Sequence, residues 1–165
     1  GYEFWAKKHN LKVMAGSVIF LREQGIKSVA QLDVLIQEGA DKRQELQEKI
    51  KLIDDKSTQL SSVMEHAHTV KRFKEIYKYH KDNSDDKQFE DEYSREISLY
   101  KVAATELLKT YKTLPDTKEI LAELDILQEK KNTLMKEYSD SKTNMDDLFT
   151  IRKNFEQYMG KEMER

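Results

Sequence analysis

From Ile120 to Met159 the chain repeats in steps of four and three: Ile120, Leu124, Leu127, Lys131, Leu134, Tyr138, Ser141, Met145, Leu148, Arg152, Phe155 and Met159. Nine of the twelve positions are apolar. A seven-residue repeat sustained this long predicts a helix with a left-handed coiled-coil seam. Such a seam needs a partner. Leu32, Ile36, Gly39, Arg43, Leu46, Ile50, Ile53, Ser57, Leu60, Met64 and Ala67 keep the same alternation. Leu32 to Ala67 and Leu124 to Met159 each span 35 residues, so two helices of matched reach are predicted to lie antiparallel within one chain.

Beyond Ala67 the apolar positions change phase, to Val70, Phe73 and Tyr77, as expected if the helix leaves one packing partner for another. Phe89, Tyr93, Ile97, Tyr100, Ala104, Leu107 and Tyr111 predict a further helix over 86–111. The stretch KDNSDD at 81–86 separates it from the second helix. KTLPD at 112–116 ends it, because Pro115 disfavours helix at the residue before it. Asp116 with Glu119 marks the start of the last helix.

At the other end, Leu11, Met14, Val18 and Leu21 share one face of a helix expected from about residue 3 to Gln24. Gly25 suits the left-handed position just past its end. Ser28 followed by Gln31 spells a capping box for the second helix. From there no firm stop occurs before 81–86, which at 1.5 Å per residue predicts a rod of roughly 80 Å, with Gly39 as a tolerated weak point.

The expected fold is therefore all-α, a long antiparallel coiled-coil helical hairpin with a small helical tip and a short N-terminal helix. Residues 1–27 form the N-terminal docking segment, 28–67 and 120–160 the stalk, and 68–119 the tip. The chain opens at Gly1 and shows no methionine before Met14, so a piece of a larger protein is expected.

Composition agrees with long helices. Charged residues make up 36% and hydrophobic ones 38%, with five Gly and one Pro to interrupt. The net charge of −2 supplies no overall basic field. The absence of cysteine excludes disulfides and thiolate metal sites and suits a reducing cytoplasm. The run VMAGSVIFL at 13–21 follows Lys7, Lys8 and Lys12 in the order of a signal peptide, but no small-x-small cleavage site follows, and a core-facing helix is expected instead. No run approaches the ~20 apolar residues that span a bilayer, so no membrane insertion is expected.

The triplet His66–Ala67–His68 has the spelling that presents two imidazoles to one metal ion on a strand. On a helix the two rings point roughly 200° apart. The pattern around them is helical, with Ala67 facing inward, so no metal site is expected. His9 and His80 lack a carboxylate three or four residues on, and no phosphate loop, nucleophile elbow or paired catalytic carboxylate occurs. Asp54–Asp55 and Asp146–Asp147 read as solvated helix faces. No catalytic residue and no cofactor is expected within these residues.

Two clusters of cations remain. Residues 1–27 carry five bases, Lys7, Lys8 and Lys12 among them, against two acids. Residues 66–81 carry Lys71, Arg72, Lys74, Lys78 and Lys81 against Glu75. Either could contact phosphates. Residues 84–96 hold six acids and two bases, and a chain turning back there is expected to pair them with the second cluster.

The opening GYEFWAKKHNLKVMAGSVIFLREQGI resembles a stretch of relaxases, the mobilisation nucleases of integrative and conjugative elements in Gram-positive bacteria. Trp5, Ala6, Lys7, Asn10, Leu11, Lys12, Met14 and Ala15 carry the match. Weaker similarity continues through Ile76–Tyr77, Phe89, ISLYK at 97–101, Leu114–Pro115, Leu127 and Lys131. The resemblance implies the C-terminal helical region of such a protein, behind a nuclease domain with a nucleophilic tyrosine and a histidine cluster holding a divalent metal. It implies a role in conjugative DNA transfer in the bacterial cytoplasm, touching DNA at the transfer origin, a relaxosome accessory protein or the coupling protein. From the residues alone, a structural coiled coil that spaces or dimerises other domains, as a homodimer closing its seams between two chains, remains the alternative.

Overall fold

The computed structural model describes residues 16, 17 and 19–163, with backbone alone for 158–163. The helix expected over residues 3–24 therefore lies partly outside the described residues, as do the side chain of Met159 and the opening motif as far as Ala15. All defined elements are helices. Helical residues 16, 17 and 19–23 are followed by α1 (Val29–Asp82), α2 (Lys87–Glu92), α3 (Ser94–Thr110) and α4 (Thr117–Met163). Among the described residues no helix is long and apolar enough to cross a membrane.

The punctuation follows local chemistry. Gly25 adopts φ 65°, where a side chain would clash. Its N–H donates to Arg22 O at 3.2 Å and that of Ile26 to Leu21 O at 2.8 Å, the two bonds of a Schellman ending. At the start of α1, Ser28 Oγ accepts from Gln31 N at 3.3 Å. The Gln31 side chain reaches one residue further back than a capping box requires, accepting from Lys27 N at 2.6 Å. Asp116 Oδ1 accepts from Lys118 N at 2.9 Å ahead of α4.

The chain forms two compact units, each of which contains part of α1 and part of α4. In the first (residues 1–50 and 133–165), α1 and α4 run antiparallel. Asp33 pairs with Arg152 at 2.6 Å. Further along, Tyr138 Oη accepts from Arg43 Nη2 at 3.0 Å and Gln47 Nε2 at 2.8 Å. The Arg43 guanidinium also lies 4.8 Å from the Tyr138 ring centroid. Leu32, Leu46 and Met145 are buried, with 0%, 1% and 7% exposure. The polar seam positions Arg43, Tyr138 and Arg152 thus pair across the helices rather than leaving gaps.

The second unit (residues 51–132) holds the rest of α1, with α2, α3 and the start of α4. Leu60 packs with Ile120 and Leu127 of α4, flanked by Ile53, Met64 and Leu124. Ion pairs Asp54–Lys131 (2.7 Å) and Lys56–Glu123 (2.8 Å) border this contact. Ala67 and Val70 pack instead on Ala103 and Leu107 of α3. Tyr77 stacks on Tyr100, with ring centroids 4.1 Å apart. The change of phase after Ala67 is thus a change of partner, from α4 to α3.

One expected element is divided. Residues 86–111 form two helices, because Tyr93 takes φ −107° and ψ 21°, well away from helical ψ. The hydrogen bonds pass through it, Tyr93 N to Phe89 O at 2.9 Å and Ile97 N to Tyr93 O at 3.0 Å, so the apolar spacing survives across the break. Asp86 anchors the preceding turn. Its Oδ1 accepts from Phe89 N and its Oδ2 from Tyr79 Oη, both at 3.0 Å, and the Tyr79 and Phe89 rings meet at 4.3 Å.

Candidate nucleic-acid interface

Cations along 71–81 owe their position to the phase change. Had the seam of α1 continued in register beyond Ala67, its next positions would be Lys71, Lys74, Lys78 and Lys81. The apolar seam instead slips back by one residue, to Val70, Phe73 and Tyr77. The lysines then form a stripe beside the buried face, roughly 100° around the helix from it. All four are exposed.

Arg72 does not belong to that stripe. Three consecutive side chains of a helix point in three directions, and Arg72 lies about 140° around α1 from the middle of the lysine row. It shares a groove of about 420 Å³ with His68, Thr69 and Phe73 of α1 and Arg95, Glu96 and Leu99 of α3. Its guanidinium sits 5.3 Å from the Phe73 ring centroid, a cation–π contact that orients it without using its N–H groups. Of the four sequence-derived candidates in this region, Lys71, Lys74 and Lys78 come together and Arg72 stands apart. Lys7, Lys8 and Lys12 lie outside the described residues.

The expected pairing of this cluster with the acids of 84–96 does not form. Among the described residues, none of Lys71, Arg72, Lys74 and Lys78 has a carboxylate within 4.0 Å, and the ion pairs of unit two lie elsewhere. Two of these acids have local employment. Asp86 anchors the turn, and Glu90 pairs with Lys87 at 3.1 Å, which holds its carboxyl below the usual range, first through the Lys87 hydrogen bond. Beyond that stretch Glu106 pairs with Lys109, and this hydrogen bond lowers its pKa. The cations of 71–78 are left to solvent.

The histidine pair sits on continuous helix. Ala67 between the two rings is 4% exposed and packs against α3, and His68 is exposed. The strand geometry needed to bring both rings to one ion is absent there. Among the described residues no three His, Asp or Glu side chains gather at metal-binding distance. A larger cavity of about 620 Å³, in the first unit, is lined by Leu35, Leu148 and Ile151 and has Asp147 as its charged residue. Among the described residues, its lining offers no cation to an anionic ligand.

Sequence reasoning missed Arg95, Glu96 and Leu99, and it placed His68 simply on the surface. Arg95 was counted within an acidic stretch, and its proximity to Arg72 depends on the antiparallel contact between α1 and α3. The signal was the shared spacing of Val70 and Tyr77 with Tyr100 and Leu107. No family model, no curated protein and no solved structure matches this chain.

Proposed function

We propose that this chain is a non-catalytic helical module of a relaxase, its C-terminal region, which contacts DNA during conjugative transfer through cations on α1. The observation that carries this reading is the row Lys71, Lys74 and Lys78, exposed and without a carboxylate partner among the described residues, with Arg72 apart from it on another side of α1. Exposed cations that no protein acid neutralises are the general footprint of phosphate contact, independent of sequence. The relaxase assignment rests on the opening motif from Trp5 to Ala15, whose resemblance continues through Tyr77, Phe89 and the segment 97–101.

The chemistry of the described residues supports an accessory role. In each unit the apolar edges of α1 face other helices of the same unit, and the polar seam residues Arg43, Tyr138 and Arg152 are occupied with one another or with nearby acids. Strand cleavage, a divalent metal and the nucleophilic tyrosine belong in this reading to a nuclease domain elsewhere in the parent protein. The module would work in the bacterial cytoplasm at the transfer origin, beside an accessory or coupling protein.

The gene upstream of Gly1 tests the assignment. It should encode a strand-rich domain bearing a tyrosine and a histidine cluster. A second coiled coil or a membrane anchor in that place would contradict it.

A further inference from the structure

We infer that the groove between α1 and α3 is a discrete binding site for one phosphate group, with Arg72 and Arg95 as its two guanidinium donors. This deepens the proposed contact with nucleic acid and rests on it for the source of the phosphate.

Arg72 and Arg95 both line one groove of about 420 Å³, and neither has an ion-pair partner among the described residues. Guanidinium donors match the oxygens of a phosphate two at a time, which a lysine cannot do. The groove reaches them from two helices, so a ligand can be gripped from both sides. His68 adds a ring nitrogen. Thr69 does not add a donor, because its hydroxyl already donates to Glu65 O at 3.0 Å. Phe73 and Leu99 supply the apolar part of the lining, and Leu99 is 41% exposed. Leucine and phenylalanine beside paired arginines suit the sugar or base attached to a phosphate better than a bare carboxylate. The lysine stripe on the other flank of α1 offers point charges only, which suits loose tracking of a backbone.

Glu96 makes the site specific enough to test. Its carboxylate lines the same groove and opposes any anion there, so it weakens binding while the arginines support it. A general basic surface would respond little to that one carboxylate.

The test uses the full 165-residue chain. Amide NMR shifts are followed during titration with inorganic phosphate, and anisotropy with a labelled single-stranded oligonucleotide. Phosphate should shift residues around Arg72 and Arg95. Arg95→Gln should weaken phosphate and strand binding by about tenfold or more, as loss of a charge-assisted hydrogen bond does. Arg95→Lys, which keeps the charge, should recover only part of the loss, and Glu96→Gln should tighten both by several-fold. Lys130→Gln, a change at an exposed residue outside the groove, should leave both unchanged. Circular dichroism of each variant separates lost binding from lost helix. If phosphate shifts nothing near Arg72, or if folded Arg95→Gln and Arg95→Lys both bind as the parent does, the site is refuted. Strand binding that survives Arg95→Gln but collapses when Lys71, Lys74 and Lys78 are reversed would refute the groove and leave the proposed function standing. Inorganic phosphate bound in the groove of a chain that binds no strand would uphold the site, with free phosphate as its ligand, and remove the nucleic-acid reading.

Discussion

Gly39 of α1 and Met145 of α4 meet as hole and knob. A Cβ built on Gly39 would lie 2.5 Å from Met145 Sδ, a separation that real side chains do not adopt. The apparent weak point in the heptad is therefore where the opposite helix comes closest, and Met145, at 7% exposure, fills the space that the missing side chain leaves. Gly39→Ala brings two opposed effects. Alanine favours helix by roughly 1 kcal/mol over glycine, whereas overpacking a filled contact costs about 1–3 kcal/mol. We expect a net loss of about 1 kcal/mol in denaturant unfolding. With Met145→Ala already in place, the same substitution should stabilise by up to about 1 kcal/mol. A stabilising Gly39→Ala in the parent chain would show that the flexible Met145 side chain yields to the added methyl.

Leu46 and Leu52 lie on the same long helix, with 1% and 69% exposure. Leu46→Ala should cost about 2–5 kcal/mol, the transfer and cavity terms together. Leu52→Ala should change stability by no more than about 0.5 kcal/mol, as substitutions away from packed contacts do. Comparable losses at both positions would mean that the buried face of α1 is misplaced.

The seam itself was legible because its described positions face inward. Ile36, Arg43, Ser57, Lys131, Ser141 and Arg152 are all at least partly buried, although five of these six are polar. Periodicity found them because a heptad records direction and not chemistry. It could not find the interruption at Tyr93, where spacing is preserved while ψ changes. Nor could it find the groove. Arg72 and Arg95 are far apart in sequence and line one groove only because α1 and α3 pack together. The absence of pairing between 66–81 and 84–96 was hidden for a third reason. Opposite charges along a sequence attract on paper, but Asp86 caps its own helix and Lys87 reaches Glu90 within one helical turn.

Two tyrosines should titrate in opposite directions. Tyr138 Oη accepts from Arg43 and Gln47, and the Arg43 hydrogen bond stabilises the phenolate and draws its pKa below the ordinary 10.0. Tyr79 donates to Asp86, and that hydrogen bond favours the neutral phenol and raises its pKa above the same value. The Tyr79 contribution to stability is complete below the unfolded pKa and is lost as pH rises through the raised folded value. For Tyr138 ionisation the sign reverses, with the stabilisation appearing above the unfolded pKa. Ultraviolet titration of the parent, Tyr79→Phe and Tyr138→Phe chains should remove the late component in the first variant and the early component in the second. The opposite order would mean that the Arg43 and Asp86 contacts are not made in solution.

The central claim is that the unpaired cations of α1 engage nucleic acid, and a salt series tests it most directly. Single- and double-stranded oligonucleotides are titrated against the parent chain and against a Lys71→Glu, Arg72→Glu, Lys74→Glu variant at several salt concentrations. The account predicts binding at low salt that weakens linearly on a log–log scale, with a slope smaller by about three in the variant, near one per lost phosphate contact. No binding at low salt, or a slope unchanged by the three reversals, would contradict it.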